Sequence, residues 1–214
     1  MSDVSLIKIS GPDQTGITQA ATAILSDYDV NILDIGQAVI HNNLALGILA
    51  EMPDSVDTAV CFSRLREAVQ KLGMSIEFDA VNGDDYKRWI NEQGKPRHIL
   101  TLLVRKVSAE HINAVTSLAA QYGLNIDKIT RLSGRVSLNA NEQSKACVEF
   151  SMRGELSDQI KVRRALLELT NTLDMDIAYQ EDDMFRRNRR LVVFDMDSTL
   201  IEAEVIDELA KVAG

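Results

Sequence analysis

The chain contains one pattern twice. "YDVNILDI" at 28–35 matches "YGLNIDKI" at 122–129, an offset of 94 residues. "LGMSIEF" at 72–78 matches "LDMDIAY" at 173–179, an offset of 101. Two anchors in the same order imply a duplicated unit, and a repeat of roughly 80–90 residues is an ordinary small-domain length. The seven extra residues (101 − 94) fall within "RLSGRVSLNANEQSKA" at 131–146, so the second copy has a longer hairpin. Whatever fold one copy adopts, the other is expected to adopt too.

Each copy reads in the order β-α-β-β-α-β. In the first, "VSLIKIS" alternates as a short strand and "GPDQTG" turns the chain. "ITQAATAILSD" then places Ile17, Ala21, Ile24 and Leu25 on one helical face. "VNILDIGQAVI", rich in β-branched residues, and "LALGILAEM" form a hairpin about "HNN". A helix follows "PDSV", with Asp54 as its candidate N-cap and Leu65, Val69 and Leu72 on its inner face, and "MSIEFDAV" closes the unit.

The second copy repeats this with "HILTLLVRK" and a helix capped by Ser108 that carries Ile112, Val115 and Ala119 and ends at Gly123. "LNIDKITRL", "KACVEFSM", a helix around Ile160 and Leu167, and "MDIAYQE" complete it. The order predicts an α+β, ferredoxin-like unit: a four-stranded antiparallel sheet with both helices on one face. The expected divisions are 1–82, a polar linker at 83–96 in which Trp89 is a packing anchor, 97–183, a basic solvated connector at 184–190 that includes "RRNRR", and a new segment at 191–214.

Composition narrows the partners. Lys and Arg number 23 against 32 Asp and Glu, a net charge of −9, so nucleic acid is not an expected partner. No apolar run reaches the ~20 residues of a membrane span, and "MSDVSLIKIS" has no basic stretch followed by an apolar one, so a signal peptide is not expected. A cytoplasmic protein with no membrane partner is expected, with Cys61 and Cys147 as buried free thiols.

Two stretches carry chemistry. In "GPDQTG", glycines allow a ligand close to the backbone, and the following helix start offers N–H groups to a carboxylate. Asp13 suits an ammonium, and Asn31 supplies both a donor and an acceptor. The alternative is a plain turn with Asp13 as helix cap. His111 is expected as an exposed helix residue. The second stretch, "LVVFDMDSTLI", is a continuous apolar run ending in Asp195 and Asp197, followed by the helical "EVIDELAKVAG" with Val205 (or Ile206) and Leu209 on one face. It reads as the first strand and helix of an α/β domain. Its spacing suits phosphoryl transfer: Asp195 attacks phosphorus, Asp197 acts as general acid and base, Mg²⁺ neutralises charge, and Ser198 and Thr199 face the phosphate. An acidic helix cap and a transferase Asp-x-Asp site remain as alternatives.

The duplicated βαββαβ unit, "GPDQTG" and the "VNI" strand entry resemble the ACT-domain family, modules that commonly bind amino acids where the first loop of one module meets a neighbour. The resemblance implies Asp13, Gly16 and Asn31 as regulatory-ligand residues. The second copy, with "RKVSAEH" in place of "GPDQTG", departs from the pattern and keeps only Asn125. "FDMDSTLIEAEVIDELAKVAG" resembles the first motif of the haloacid-dehalogenase-like phosphatases, and more closely their phosphoserine phosphatase family. That likeness implies Asp195 as nucleophile and Asp197 as general acid/base. It implies Mg²⁺ on the Asp195 carboxylate and the Asp197 backbone carbonyl, with Glu204 and Thr199 binding substrate.

Phosphoserine would be the parent substrate, a free amino acid such as serine the regulatory ligand, and a homodimer the assembly. Such a catalytic domain needs about 200 residues, so the expectation is a chain cut after its first motif and inactive as it stands. A stand-alone tandem amino-acid sensor, or a phosphatase for another small phosphomonoester, are the competing readings.

Overall fold

The computed structural model describes residues 3–135, 145–187, 193, 195, 201 and 204–213. The chain divides into two compact units, Met1–Gln93 and Gly94–Gly214.

The first unit runs β1 (Asp3–Pro12), α1 (Ile17–Asp27), β2 (Asn31–Ile40), β3 (Asn43–Met52), α2 (Thr58–Lys71), β4 (Ser75–Val81) and α3 (Gly83–Gln93). Its sheet order is β2-β3-β1-β4, with every neighbouring pair antiparallel. Period-two alternation explains the core. Leu44, Leu46, Ile48, Ala50 and Met52 of β3 are all buried, while the residues between them are not. Ile17, Ala21 and Leu25 of α1 and Cys61, Leu65 and Val69 of α2, spaced at four, join Ile7 and Ile9 of β1 in that same buried cluster. The two helices therefore cover one face of the sheet.

The second unit repeats the plan with β5 (Arg97–Val104), α4 (Ala109–Gln121), β6 (Asn125–Arg131), β7 (Ala146–Arg153), α5 (Gln159–Leu173) and β8 (Asp176–Glu181), in sheet order β6-β7-β5-β8. Phe150 of β7 is fully buried, in one cluster with Leu100, Leu102, Val115, Val162 and Leu166. The duplication extends to irregularities: a register shift falls between Ile32 and Asp34 in β2, and between Ile126 and Lys128 in β6. At Gly154, with φ of 157°, an added Cβ would stand 2.8 Å from the Gly123 carbonyl oxygen. His98, buried beside it, completes the corner: its Nε2–H donates to the Gly154 carbonyl at 2.9 Å, and its Nδ1 accepts the Tyr179 hydroxyl at 2.7 Å. Desolvation raises the Tyr179 phenol above its ordinary range.

The structure differs from the sequence expectations at several points. The segment expected as a linker, 83–96, is mostly the helix α3, which Asn82 caps by accepting the Asp84 and Asp85 amides at 3.1 and 2.8 Å. Trp89 is half-buried there and stacks on Tyr86 at 5.8 Å. The N-cap of α2 is Asp57, not Asp54; its carboxylate accepts the Ala59 and Val60 amides, and Asp54 lies in a turn closed by the Val56 amide and the Pro53 carbonyl. The helix expected around Ile160 and Leu167 is present as α5, and the residues it buries are Val162 and Leu166. Cys61 is buried, which pushes its thiol pKa up, but Cys147 is only half-buried.

After β8 comes the short helix α6 (Met184–Arg187), and further on α7 (Val205–Ala213), whose Ile206, Leu209 and Val212 are exposed. The expected strand at 191–200 lies largely outside the described residues. No described helix is long and apolar enough to cross a membrane.

Candidate functional site

The loop between β1 and α1 is held at one end of the first unit. The Asp13 amide donates to the Asn42 carbonyl at 2.7 Å, in the β2–β3 turn. The Gln14 side chain donates to the Leu72 carbonyl just past α2. Gly16 is the N-cap of α1, with φ of 94°, and no side chain caps the helix. Asp13 is therefore not the cap, and the first turn of α1 keeps backbone donors that no side chain takes. Asp13 and Gly16 are both exposed beside that helix start. Two further polar groups stand here that the sequence reading missed: Thr18 Oγ1 donates to Gln37 Oε1 at 2.6 Å, tying β2 to the first turn of α1. Thr18 was visible as a hydroxyl in the first turn of the helix. Gln37 was not, since it arrives by strand pairing.

Asn31 stands apart from this loop. It pairs in register with Glu51 at the far end of β2, whereas the loop lies next to the end where Pro12 pairs with Asn43. Ten residues of strand separate the two ends, about 30 Å at the usual rise. Asn31 Nδ2 donates to Glu51 Oε2 at 3.0 Å. One module thus brings together Asp13 and Gly16 and leaves Asn31 at the opposite end.

The second module closes the corresponding helix start. Ser108 Oγ accepts the His111 amide at 3.3 Å, and the Ser108 amide donates to His111 Nδ1 at 3.1 Å, a reciprocal capping box. The other ring nitrogen of His111 donates to the Leu173 carbonyl at 3.1 Å, linking α4 to the end of α5. His111 is thus a half-buried structural link, not the exposed residue expected. Asn125 Nδ2 donates to Asp127 at 2.7 Å, and Arg153 reaches the same oxygen at 2.8 Å. The open helix start does not recur in this copy, and here as in the first the asparagine amide donates to a carboxylate.

Two models of the ACT domain match the chain, one over residues 4–79 and one over 96–180. The chain carries two ACT domains. It is 32% identical over 209 residues to a phosphoserine phosphatase of Streptomyces coelicolor, an alignment covering 98% of this chain and 47% of that protein. It is also 32% identical over 218 residues to a phosphoserine phosphatase of Mycobacterium tuberculosis, covering 98% and 48%. The chain thus spans about half the length of both relatives. Among solved structures, an unknown protein from Galdieria sulphuraria superposes with a TM-score of 0.68 at 17% identity, over 86% of this chain and all of that one, which shows the shared tandem fold.

Of the residues expected in a phosphatase site, Asp195 and Glu204 are described and exposed. Asp197 and Thr199 lie outside the described residues. Among the described residues no three His, Cys, Asp or Glu side chains gather as metal ligands. The described donors do not make up a Mg²⁺ site by themselves.

Proposed function

We propose that this chain is the amino-acid-sensing regulatory portion of a phosphoserine phosphatase. The observation that carries the reading is the 32% identity over 98% of the chain, which takes in both ACT domains and the Asp195 segment together. The parent reaction would hydrolyse O-phosphoserine to serine and phosphate with Mg²⁺, Asp195 acting as nucleophile and Asp197 as general acid and base. Glu204 and Thr199 would hold the substrate. The protein would work in the cytoplasm.

ACT domains generally bind amino acids, and serine is the ligand proposed for the first. The open start of α1 would take its carboxylate and Asp13 its ammonium. Since Asn31 lies at the far end of the same module, it would serve a loop presented by a second copy of the chain. That geometry supports a homodimer, for which the edge strand β2 offers a pairing surface.

Calorimetric titration with L-serine tests the regulatory part. Saturable heat that disappears in Asp13→Asn is the expected result. Absence of heat at millimolar serine, in protein shown to be folded, would remove it. Assaying Mg²⁺-dependent release of phosphate from phosphoserine tests the rest: no turnover is expected from residues 1–214 alone, and turnover is expected from a chain carrying a complete catalytic domain.

A further inference from the structure

We propose that the first ACT domain holds a second ligand site, a cleft that takes a small carboxylate bearing an aromatic or branched apolar group. The cleft has a volume of about 1250 Å³ and lies between the first half of α2, the start of β1, the end of β4 and the start of α3. It is separate from the Asp13 loop, which sits against Asn42 and Leu72 and contributes nothing to it.

Its apolar wall is a stack. The rings of Phe62 and Phe78 lie 4.1 Å apart and 14° from parallel, and the Arg66 guanidinium stands 5.5 Å from the centre of the Phe78 ring. Lys87 of α3 provides a second cation, and Thr58 and Ser63 of α2 provide hydroxyls. The cations decide the ligand. In the same unit Lys8, Arg64 and Arg88 each have carboxylate partners at 2.7–3.2 Å. Arg66 and Lys87 have no ion-pair partner among the described residues, yet they line one cleft beside an aromatic wall. An anion with an apolar body satisfies both features at once.

The start of α2 does not compete for that anion, because Asp57 already accepts the Ala59 and Val60 amides. This favours a carboxylate held by side chains over a phosphate cradled by helix amides. Of the two acids on the cleft, Glu51 accepts the Asn31 amide. Asp3 remains to meet an ammonium if the ligand has one. Because α3 supplies Tyr86 and Lys87, a ligand bridging α2 and α3 would also fix the helix through which the chain leaves this domain.

The inference stands apart from the phosphatase reading and from the serine site, and its test separates them. Trp89 is the chain's single tryptophan and stacks on Tyr86 in the cleft wall, so its fluorescence reports occupancy. The chain would be titrated with 3-phenylpropionate, with L-phenylalanine, and with 3-phenylpropanol as the uncharged control. The expected result is a saturable change with the carboxylates that Arg66→Gln and Lys87→Gln each weaken about tenfold, the loss of one charge-assisted bond, and that Asp13→Asn leaves intact. Tighter binding of L-phenylalanine, reversed by Asp3→Asn, would assign the site to amino acids; equal or weaker binding would assign it to plain carboxylates. Binding that survives the double substitution, an equal response to the alcohol, or no saturation by about 10 mM in folded protein would overturn the site.

Discussion

Arg186 reaches back over the second ACT domain to Glu149, its guanidinium 2.8 Å from the Glu149 carboxylate and 3.2 Å from that of Asp182. The three side chains are 20%, 22% and 10% exposed, so this is a partly desolvated network and not a surface pair. Arg186 follows the last strand of the module, and Glu149 lies on the central strand β7. The contact pins the point where the chain leaves the domain. Removing the arginine would take a charged partner from two shielded carboxylates, which costs more than losing an exposed pair. Arg186→Ala is expected to destabilise the second domain by about 2 kcal/mol in urea denaturation. In a double-mutant cycle, Glu149→Gln should recover part of that loss.

The two domains have separate cores. Phe150→Ala empties a fully buried position in the second cluster, and such a change costs about 3–5 kcal/mol. Denaturation followed by domain-specific probes should show the transition of the second domain moved to lower urea and that of the first unmoved. A single shared transition that shifts as a whole would mean the units unfold cooperatively.

At the start of α2, Asp57→Ala removes the acceptor of two helix amides. It is expected to cost about 1 kcal/mol, with Asp54→Ala costing less. Thermal melts of the two variants check the assignment directly.

Asp158 caps α5 by accepting the Lys161 amide at 3.0 Å. That hydrogen bond, followed by the Lys161 side chain, holds its carboxyl below the usual range. A lowered folded-state pKa gives stability that is fully present above the unfolded value and is lost as pH falls through the folded value. Wild-type protein should therefore lose stability in this acid window. Asp158→Asn should show a shallower loss over the same window, as read from chemical denaturation at a series of pH values.

Much of this architecture is legible in residue order. The paired motifs about Asn31 and Asn125 announce the duplication, and alternation from Leu44 to Met52 announces a half-covered strand. The Ser108 cap was visible because capping is a contact between residues three apart. Helix α3 escaped because Gly83, Gly94 and Pro96 suggest a loose connector, although Asn82 followed by Asp84 and Asp85 is a sound helix start. His111 and Arg186 escaped for another reason. Their partners, Leu173 and Glu149, lie 62 and 37 residues away, and no periodicity encodes such a meeting.

The amino-acid order alone determined the repeated βαββαβ plan, the faces that are buried and the two chemically marked stretches, because each rests on spacing within a few residues and on the burial of apolar side chains. Tertiary structure decided which distant groups meet. It put Asn31 a strand's length from Asp13, gave Arg186 its carboxylates, and set Arg66 and Lys87 around an aromatic wall. Those outcomes depend on strand register and on helix docking against the sheet, which bring together residues dozens of positions apart.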